Sequence, residues 1–348
     1  MQIYLHLNKT PYRIVYYLFL GIVLILIGTP ATVAQELNVY SSRQEFLSRP
    51  FIERFEKEAG VKVNIVFIQR GMLERLKAEG ANSKADVVMT VDIAQLTAIA
   101  EAGVLQTVAS RVVAANVPAQ YRGPDDIWIG LTTRARIIYT AKDRVKSGEI
   151  ATYEDLVDPK WKGRICTRSG YHDYNVSLLA SIAAHRDEAA AAAWLAGLKA
   201  NLARKPQGGD RDQILAVAHG ICDIALGNTY YYALMTKDEK TRALAEKVAL
   251  VFPNQGDRGT HVNISGIAIT KAAKNVATAR KFVEYLSGDE AQALYAEQNN
   301  EYPVKPGVAV AGVVASWGAF KADAKNLGEI ARLVGPAVKI VDRVRYDE

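Results

Sequence analysis

Residues 61–91 read VKVNIVFIQRGMLERLKAEGANSKADVVMTV, and the fold is decided there. Residues 61–68 alternate apolar and polar side chains with the period of two that suits a strand. Residues 72–79 have a helical pattern, and ADVVMTV at 85–91 is an apolar run that reads as a buried strand. Working outward, Leu37 to Tyr40 starts an earlier strand, and 51–59 forms a helix with Phe51, Ile52 and Phe55 on one face, stopped by Gly60. Residues 94–102 make a further helix, closed by Gly103. Strands alternating with helices predict an α/β fold, with parallel or mixed sheets flanked by helices. A second such region spans about 139–253, with strands at 164–167 and 221–226 and an Ala-rich helix at 188–202. Residues 262–270 (VNISGIAIT) are again strand-like, and helices follow from 271. The length of 348 residues suggests two domains. No low-complexity linker separates the regions, so two lobes joined by several crossings are expected.

Hydrophobic residues at 49% and charged residues at 23% are near globular averages, which excludes disordered, collagenous and coiled-coil classes. The net charge of +6 is spread over 43 basic and 37 acidic residues without a dense basic block, so nucleic acid is not an expected partner. The N-terminal stretch carries Lys9 and Arg13, the apolar run IVYYLFLGIVLILI at 14–27, the breakers Gly28 and Pro30, and small residues at Thr32-Val33-Ala34. This is the pattern of a secretory signal peptide over 1–34, cleaved near Ala34-Gln35, and the apolar run is short for a spanning helix. An uncleaved anchor is the alternative reading. In an exported chain Cys166 and Cys222 can form a bridge. Both lie in apolar runs, RICT and GICDIAL, and two buried thiols fit the sequence equally well.

The odd number is 17 Tyr against 8 Phe. The leader holds four of the tyrosines, and the bias survives its removal. Tyr40 ends the first strand, just before Ser41-Ser42-Arg43. Tyr174 follows strand RICT and loop RSGYHD at a helix start, where Asp173 is placed to cap. Tyr230, Tyr231 and Tyr232 follow strand ICDIAL and Gly227-Asn228-Thr229, again at a helix start. These are carboxyl ends of strands, where open α/β sheets present their ligand crevice, and helix N-termini there attract anions. Phenolate is a hard anionic oxygen donor, so converging phenols point to a hard cation such as trivalent iron. A bound cation can expel a phenol proton whose ordinary pKa is about 10. For any one tyrosine taken singly, a half-buried ring with a locally bonded hydroxyl explains as much.

The runs LNVYSSR, ADVVMTVD, GLTTRARIIY, CTRSGYHDYN, DIALGNTYYY and HVNISGIAIT together resemble the periplasmic ferric-ion-binding proteins of ABC importers. The resemblance covers nearly all of the chain after the leader. It implies a two-lobed periplasmic-binding-protein fold of type II that closes on Fe(3+), with a membrane permease and its ATPase as partners. It implies a monomer, no enzymatic activity, and a periplasmic location. The lobes would be 35–136 with 266–348, and 137–265, hinged near 134–139 and 264–269. By the same resemblance Tyr230, Tyr231 and Tyr174 are the metal ligands, with Tyr171 a weaker alternative to Tyr174 and Tyr232 left to packing. Where the tyrosine-rich branch has adjacent His and Tyr ligands, this chain has Gln44 and Glu45. Glu45 then supplies a carboxylate oxygen, or the position is lost to the metal and a small anion, carbonate, completes the shell. Arg134 is the preferred holder of that anion through its planar fork of donors, with Arg136 two residues on the alternative. Tyr40 and Arg43 are further first-lobe candidates. A binding protein for an oxyanion or organic ligand would share the lobes, but would want stacking or Ser and Asn donors. An exported metal-dependent hydrolase would need clustered ligands, and His172, His185, His219 and His261 stand in no metal-ligand spacing.

Overall fold

The computed structural model describes residues 35–43, 45–68 and 70–348. The expected signal peptide at 1–34 and its cleavage point's outer side, like Gln44, lie outside the described residues. The described strands are β1 (Gln35–Ser41), β2 (Val61–Phe67), β3 (Val87–Thr90), β4 (Leu105–Gln106), β5 (Ile129–Ala141), β6 (Ile165–Cys166), β7 (Ile224–Asn228), β8 (Val248–Val251), β9 (Val262–Thr270) and β10 (Tyr302–Pro303). Their order is β2-β1-β3-β9-β5-β7-β6, with β4 on β9 and β8 and β10 on β5.

The sheet is mixed. β1 pairs with β3 and β6 with β7 in parallel, as the strand–helix–strand pattern predicts. β9 and β5 run antiparallel to their partners. β5 decides the layout, because its thirteen residues span about 40 Å and are buried throughout. Residues 129–135 pair with β9, and from Arg136 onward the strand pairs with β7 and then β8. One strand thus passes from one sheet region to the next, and Arg134 and Arg136 sit at the changeover.

One large hydrophobic core runs across both regions, joining Val88, Leu96 and Ile264 to Ile138, Leu178 and Leu226, and two smaller ones keep to one region each. Leu37, Val39, Val87, Met89 and Ile267 pack with Phe51, Phe55, Phe282 and Tyr295. Ile137, Tyr139, Val217, Ala225 and Val248 form another. The helix Glu45–Ala59 begins earlier than the sequence suggests and contains Pro50. Pro50 has no N–H to give the carbonyl one turn back. The helix is held through this defect by Phe51 stacking on Tyr295 at 4.0 Å and Phe55 against Phe282 at 4.9 Å. β7 starts at Ile224 rather than Ile221, which is exposed. The helix Val334–Val344 packs on Asp173–His185 and Glu188–Ala200, helices that the sequence reading gives to the other lobe.

Cys166 and Cys222 are bridged, which decides between the two readings of these residues. The bridge ties the end of β6 to the turn before β7 and closes a loop of sequence separation 56. Loop-closure entropy for that length corresponds to about 4 kcal/mol. The double variant Cys166→Ser/Cys222→Ser should lose stability of that order in urea unfolding. A loss under about 1 kcal/mol would mean that the bridge constrains little of the unfolded chain.

Candidate metal site

Two helix starts carry the tyrosines. β7 runs into the helix Thr229–Lys237, which puts Tyr230 and Tyr231 in its first turn, at the positive end of the helix dipole. The turn is fixed from below. The Tyr139 hydroxyl donates to the Asn228 carbonyl at 2.7 Å, and the Tyr139 ring passes so close to Gly227 that a Cβ there would lie 2.1 Å from it. Tyr174 lies in the first turn of the helix Asp173–His185. The N-cap is His172 and not Asp173 as the sequence suggests: His172 Nδ1 accepts from the Tyr174 N–H at 3.3 Å. That role needs an unprotonated nitrogen. Burial, helped by the neighbouring Arg168 charge, pushes the His172 pKa down to about 4.

The two starts meet. The Tyr174 and Tyr230 hydroxyls are 3.0 Å apart, and the Tyr231 ring lies 4.2 Å from the Tyr230 ring. All three side chains are half-buried. Burial raises the pKa of Tyr174, with Tyr231 next in effect and Arg134 opposing. Burial likewise raises Tyr230 well above the usual phenol range, followed by its neighbours Tyr174 and Tyr231 and again opposed by Arg134. Both are therefore neutral phenols at pH 7 while no cation faces them.

Arg134, Arg136 and Arg168 surround the Tyr174 ring, their guanidinium carbons 5.8, 5.9 and 5.5 Å from its centroid. The first two project on one face of β5, as alternate strand residues do. Their surroundings differ. Arg136 Nη1 donates to Asp210 at 2.6 Å and to Asn228 Oδ1 at 3.2 Å, and Nη2 donates to Asn175 Oδ1 at 2.6 Å. Arg134 Nη1 donates to Ser265 at 3.0 Å, but its buried Nη2 has no hydrogen-bond partner among the described residues. Arg43 Nη1 donates to the same Ser265 hydroxyl at 2.7 Å and its Nη2 pairs with Glu301 at 2.7 Å, which also accepts from Thr132.

Other predicted residues are held elsewhere. The buried Tyr40 hydroxyl donates to Glu79 at 2.9 Å and accepts from Arg75 at 3.2 Å. Glu45 opens its helix, half exposed, and pairs with Arg49 one turn on. Among the described residues no hydrogen bond, ion pair or ring contact joins Tyr40 or Glu45 to the tyrosine trio. Tyr171 is exposed and donates to Asp342 at 2.5 Å. Tyr232 is buried against Tyr139 and Trp317. No group of three or more His, Cys, Asp or Glu among the described residues could hold a metal, which the hydrolase alternative would require.

Asp210 escapes a sequence reading, because an acidic residue opening a helix after Gly208-Gly209 looks solvated. It is in fact fully buried, and accepts from Arg136, from Arg168 at 3.0 Å and from the Asn228 N–H at 2.8 Å. Ser265 is missed too, although a hydroxyl in the middle of the largely apolar strand VNISGIAIT is a visible signal.

Residues 40–293 match the family described as bacterial extracellular solute-binding protein. The chain is 46% identical over 315 residues to iron uptake protein A1 of Synechocystis, covering 90% of this chain and 88% of that one. Apo ferric ion-binding protein A of Pasteurella haemolytica superposes with a TM-score of 0.86 at 51% identity, covering 90% of this chain and 99% of that one. A Trichodesmium protein in complex with iron and citrate ligands gives 0.85 at 44% identity, covering 89% and 99%.

Removing Asp210 leaves two guanidinium groups in the protein without their carboxylate. Breaking a buried pair in this way typically costs about 3–5 kcal/mol. Asp210→Ala should lose stability in that range in denaturant unfolding. A loss near zero would show that Arg136 and Arg168 find other partners.

Proposed function

The chain belongs to the bacterial extracellular solute-binding protein family, and from that premise we propose that it captures ferric iron for an ABC importer. Its fold is that of the periplasmic binding proteins. The observation that carries the reading is the meeting of Tyr174 and Tyr230 hydroxyls at 3.0 Å with Tyr231 beside them, in the first turns of two helices. Two phenols that meet and a third ring beside them offer a hard oxygen donor set, and a trivalent ion drives off their protons. The leader at 1–34 exports the chain to the periplasm, where a permease and its ATPase receive the ion.

In this reading Tyr174, Tyr230 and Tyr231 load iron first. Arg134 then holds a small anion, carbonate or another carboxylate-like ligand, because its Nη2 is buried and free to donate. Arg136 serves the framework instead, since both of its terminal nitrogens are occupied. Tyr40 and Glu45 are left out of the shell, their polar groups being held by Glu79, Arg75 and Arg49. The long strands β5 and β9 act as the hinge. Closure follows because only the closed form brings both halves onto the ion.

Pure apoprotein given ferric citrate and bicarbonate should turn orange to purple from tyrosinate-to-iron charge transfer. Tyr174→Phe, Tyr230→Phe and Tyr231→Phe should each weaken iron binding at least about tenfold, or about 1.4 kcal/mol, in citrate competition. Glu45→Ala should leave affinity within about threefold. No colour, together with unchanged affinity in the tyrosine variants, would defeat the iron reading.

Tyr174 and Tyr230 carry their protons in the empty site, so binding must release them. Affinity should therefore rise with pH and fall on acidification, with about two to three protons released per ion. A pH-stat titration reads this directly. Iron affinity independent of pH between 5 and 8, measured at about constant free ferric ion, would contradict phenol ligation.

A further inference from the structure

Residues 342–347 lie away from the tyrosines yet grip the loop that leads to one of them. Asp347 accepts from the Ser169 hydroxyl and, at 2.7 Å, from the Gly170 N–H. Tyr346 is buried, with its hydroxyl 2.8 Å from that of Thr167, and Asp342 accepts from Tyr171. The packing is tight on both sides: a Cβ on Gly170 would lie 2.7 Å from the Tyr346 ring and 3.0 Å from Val341. We propose that this segment is a positioning latch for the Tyr174 half of the metal site, with Asp347 as its principal residue.

The latch is itself anchored. The helix Val334–Val344 packs on Asp173–His185 and Glu188–Ala200. Arg345 takes a left-handed conformation, φ 54°, that ends the helix. Lys199 Nζ then donates to the carbonyls of Val344 at 3.2 Å and Arg345 at 2.6 Å. The segment is held to the same helix that carries Tyr174, so a force on the loop is resisted locally.

From the loop the coupling to Tyr174 is short. Asn175 Nδ2 donates to the carbonyls of Arg168 and Ser169 at 3.1 Å each, and the His172 N–H donates to Ser169 at 3.2 Å. Arg168 reaches from this loop to Asp210 and over the Tyr174 ring. Holding Ser169 and Gly170 from outside therefore holds Arg168, His172 and Asn175, and with them the direction of the Tyr174 phenol toward Tyr230. Asp347 touches no ligand. It acts through the loop.

This inference rests on the ferric reading of the site, and a double-mutant cycle in the full chain separates the two. Asp347→Ala should weaken ferric binding about tenfold in citrate competition and shift the visible tyrosinate band, as a misplaced Tyr174 would. In a Tyr174→Phe background the same change should weaken binding less than about twofold. Asp347→Asn keeps an oxygen acceptor for the Gly170 N–H and should stay within about threefold of the wild type. Should Asp347→Ala not fold, Ser169→Ala removes one of the two bonds and should shift the band in the same direction. Equal losses in both backgrounds, or an unchanged band and affinity, overturn the latch. A wild-type chain that takes no iron and shows no band overturns the ferric reading itself.

Discussion

Most of the candidate site hangs on one buried carboxylate. Asp210 accepts from Arg136, Arg168 and the Asn228 backbone, and Arg136 passes the connection on to Asn175. Asn228 leads into the helix of Tyr230 and Tyr231, and Asn175 follows Tyr174. One network thus sets two helix starts in register. A buried ion pair is poor evidence for stability, because desolvation offsets its attraction, but its geometry is exacting. Here it specifies where two chain segments remote in sequence must stop relative to each other. The network also leaves a charge behind, since two guanidinium groups meet one carboxylate. The charge that favours the Tyr174 phenolate against burial is nevertheless that of Arg134, while Asp210 itself works the other way.

The same residues sit where β5 changes partners. A strand that pairs with β9 along one half and with β7 and β8 along the other can twist at the changeover with few hydrogen bonds lost. Arg134 and Arg136 flank that point. In the proposed mechanism the site and the hinge are therefore neighbours along one strand, and contact with the ion or its anion acts directly on the element that bends. Asn263 on β9 adds a polar link there. It donates to Asp92 at 2.6 Å and Ser177 at 3.2 Å, joining the start of the helix Ile93–Glu101 to the helix that carries Tyr174.

Much of this was legible in the sequence where a local rule governs. The strand of 262–270 and the helix of 72–79 follow from periodicity alone, and their observed bounds coincide with the pattern. The tyrosines' place at helix starts was legible from the strands and loops before them, although the cap proves to be His172 and not Asp173. What the sequence hides is set by tertiary contact. Pro50 looks like a helix boundary, and tertiary packing, including Phe51 on Tyr295 and Phe55 on Phe282, carries the helix through it. Asp210 looks solvated because its three donors come from segments far along the chain. Tyr40 looks like a ligand because it ends a strand, but Glu79 on a helix 39 residues away holds its hydroxyl.

The character of the opposite wall follows from charge. Facing the phenols are Arg134 and Arg43, sharing the Ser265 hydroxyl, with Glu301 bound to Arg43 and Thr132. Asp92 is near, but its carboxylate already accepts from the Ala94 N–H, Asn263 and Ser177. Among the described residues the wall therefore offers Arg134 as a guanidinium donor, while the carboxylates beside it, Glu301 and Asp92, already have partners. A trivalent cation cannot meet a guanidinium directly, since like charges at contact distance repel strongly in a partly dry cleft. In the proposed site a small anion stands between them, with one side toward the ion and the other toward Arg134 Nη2. There that anion takes the place of the ligand that the resemblance puts at the position of Glu45. On that proposal capture depends on a second solute, and losing the small anion opens the shell from the side that closure brings in.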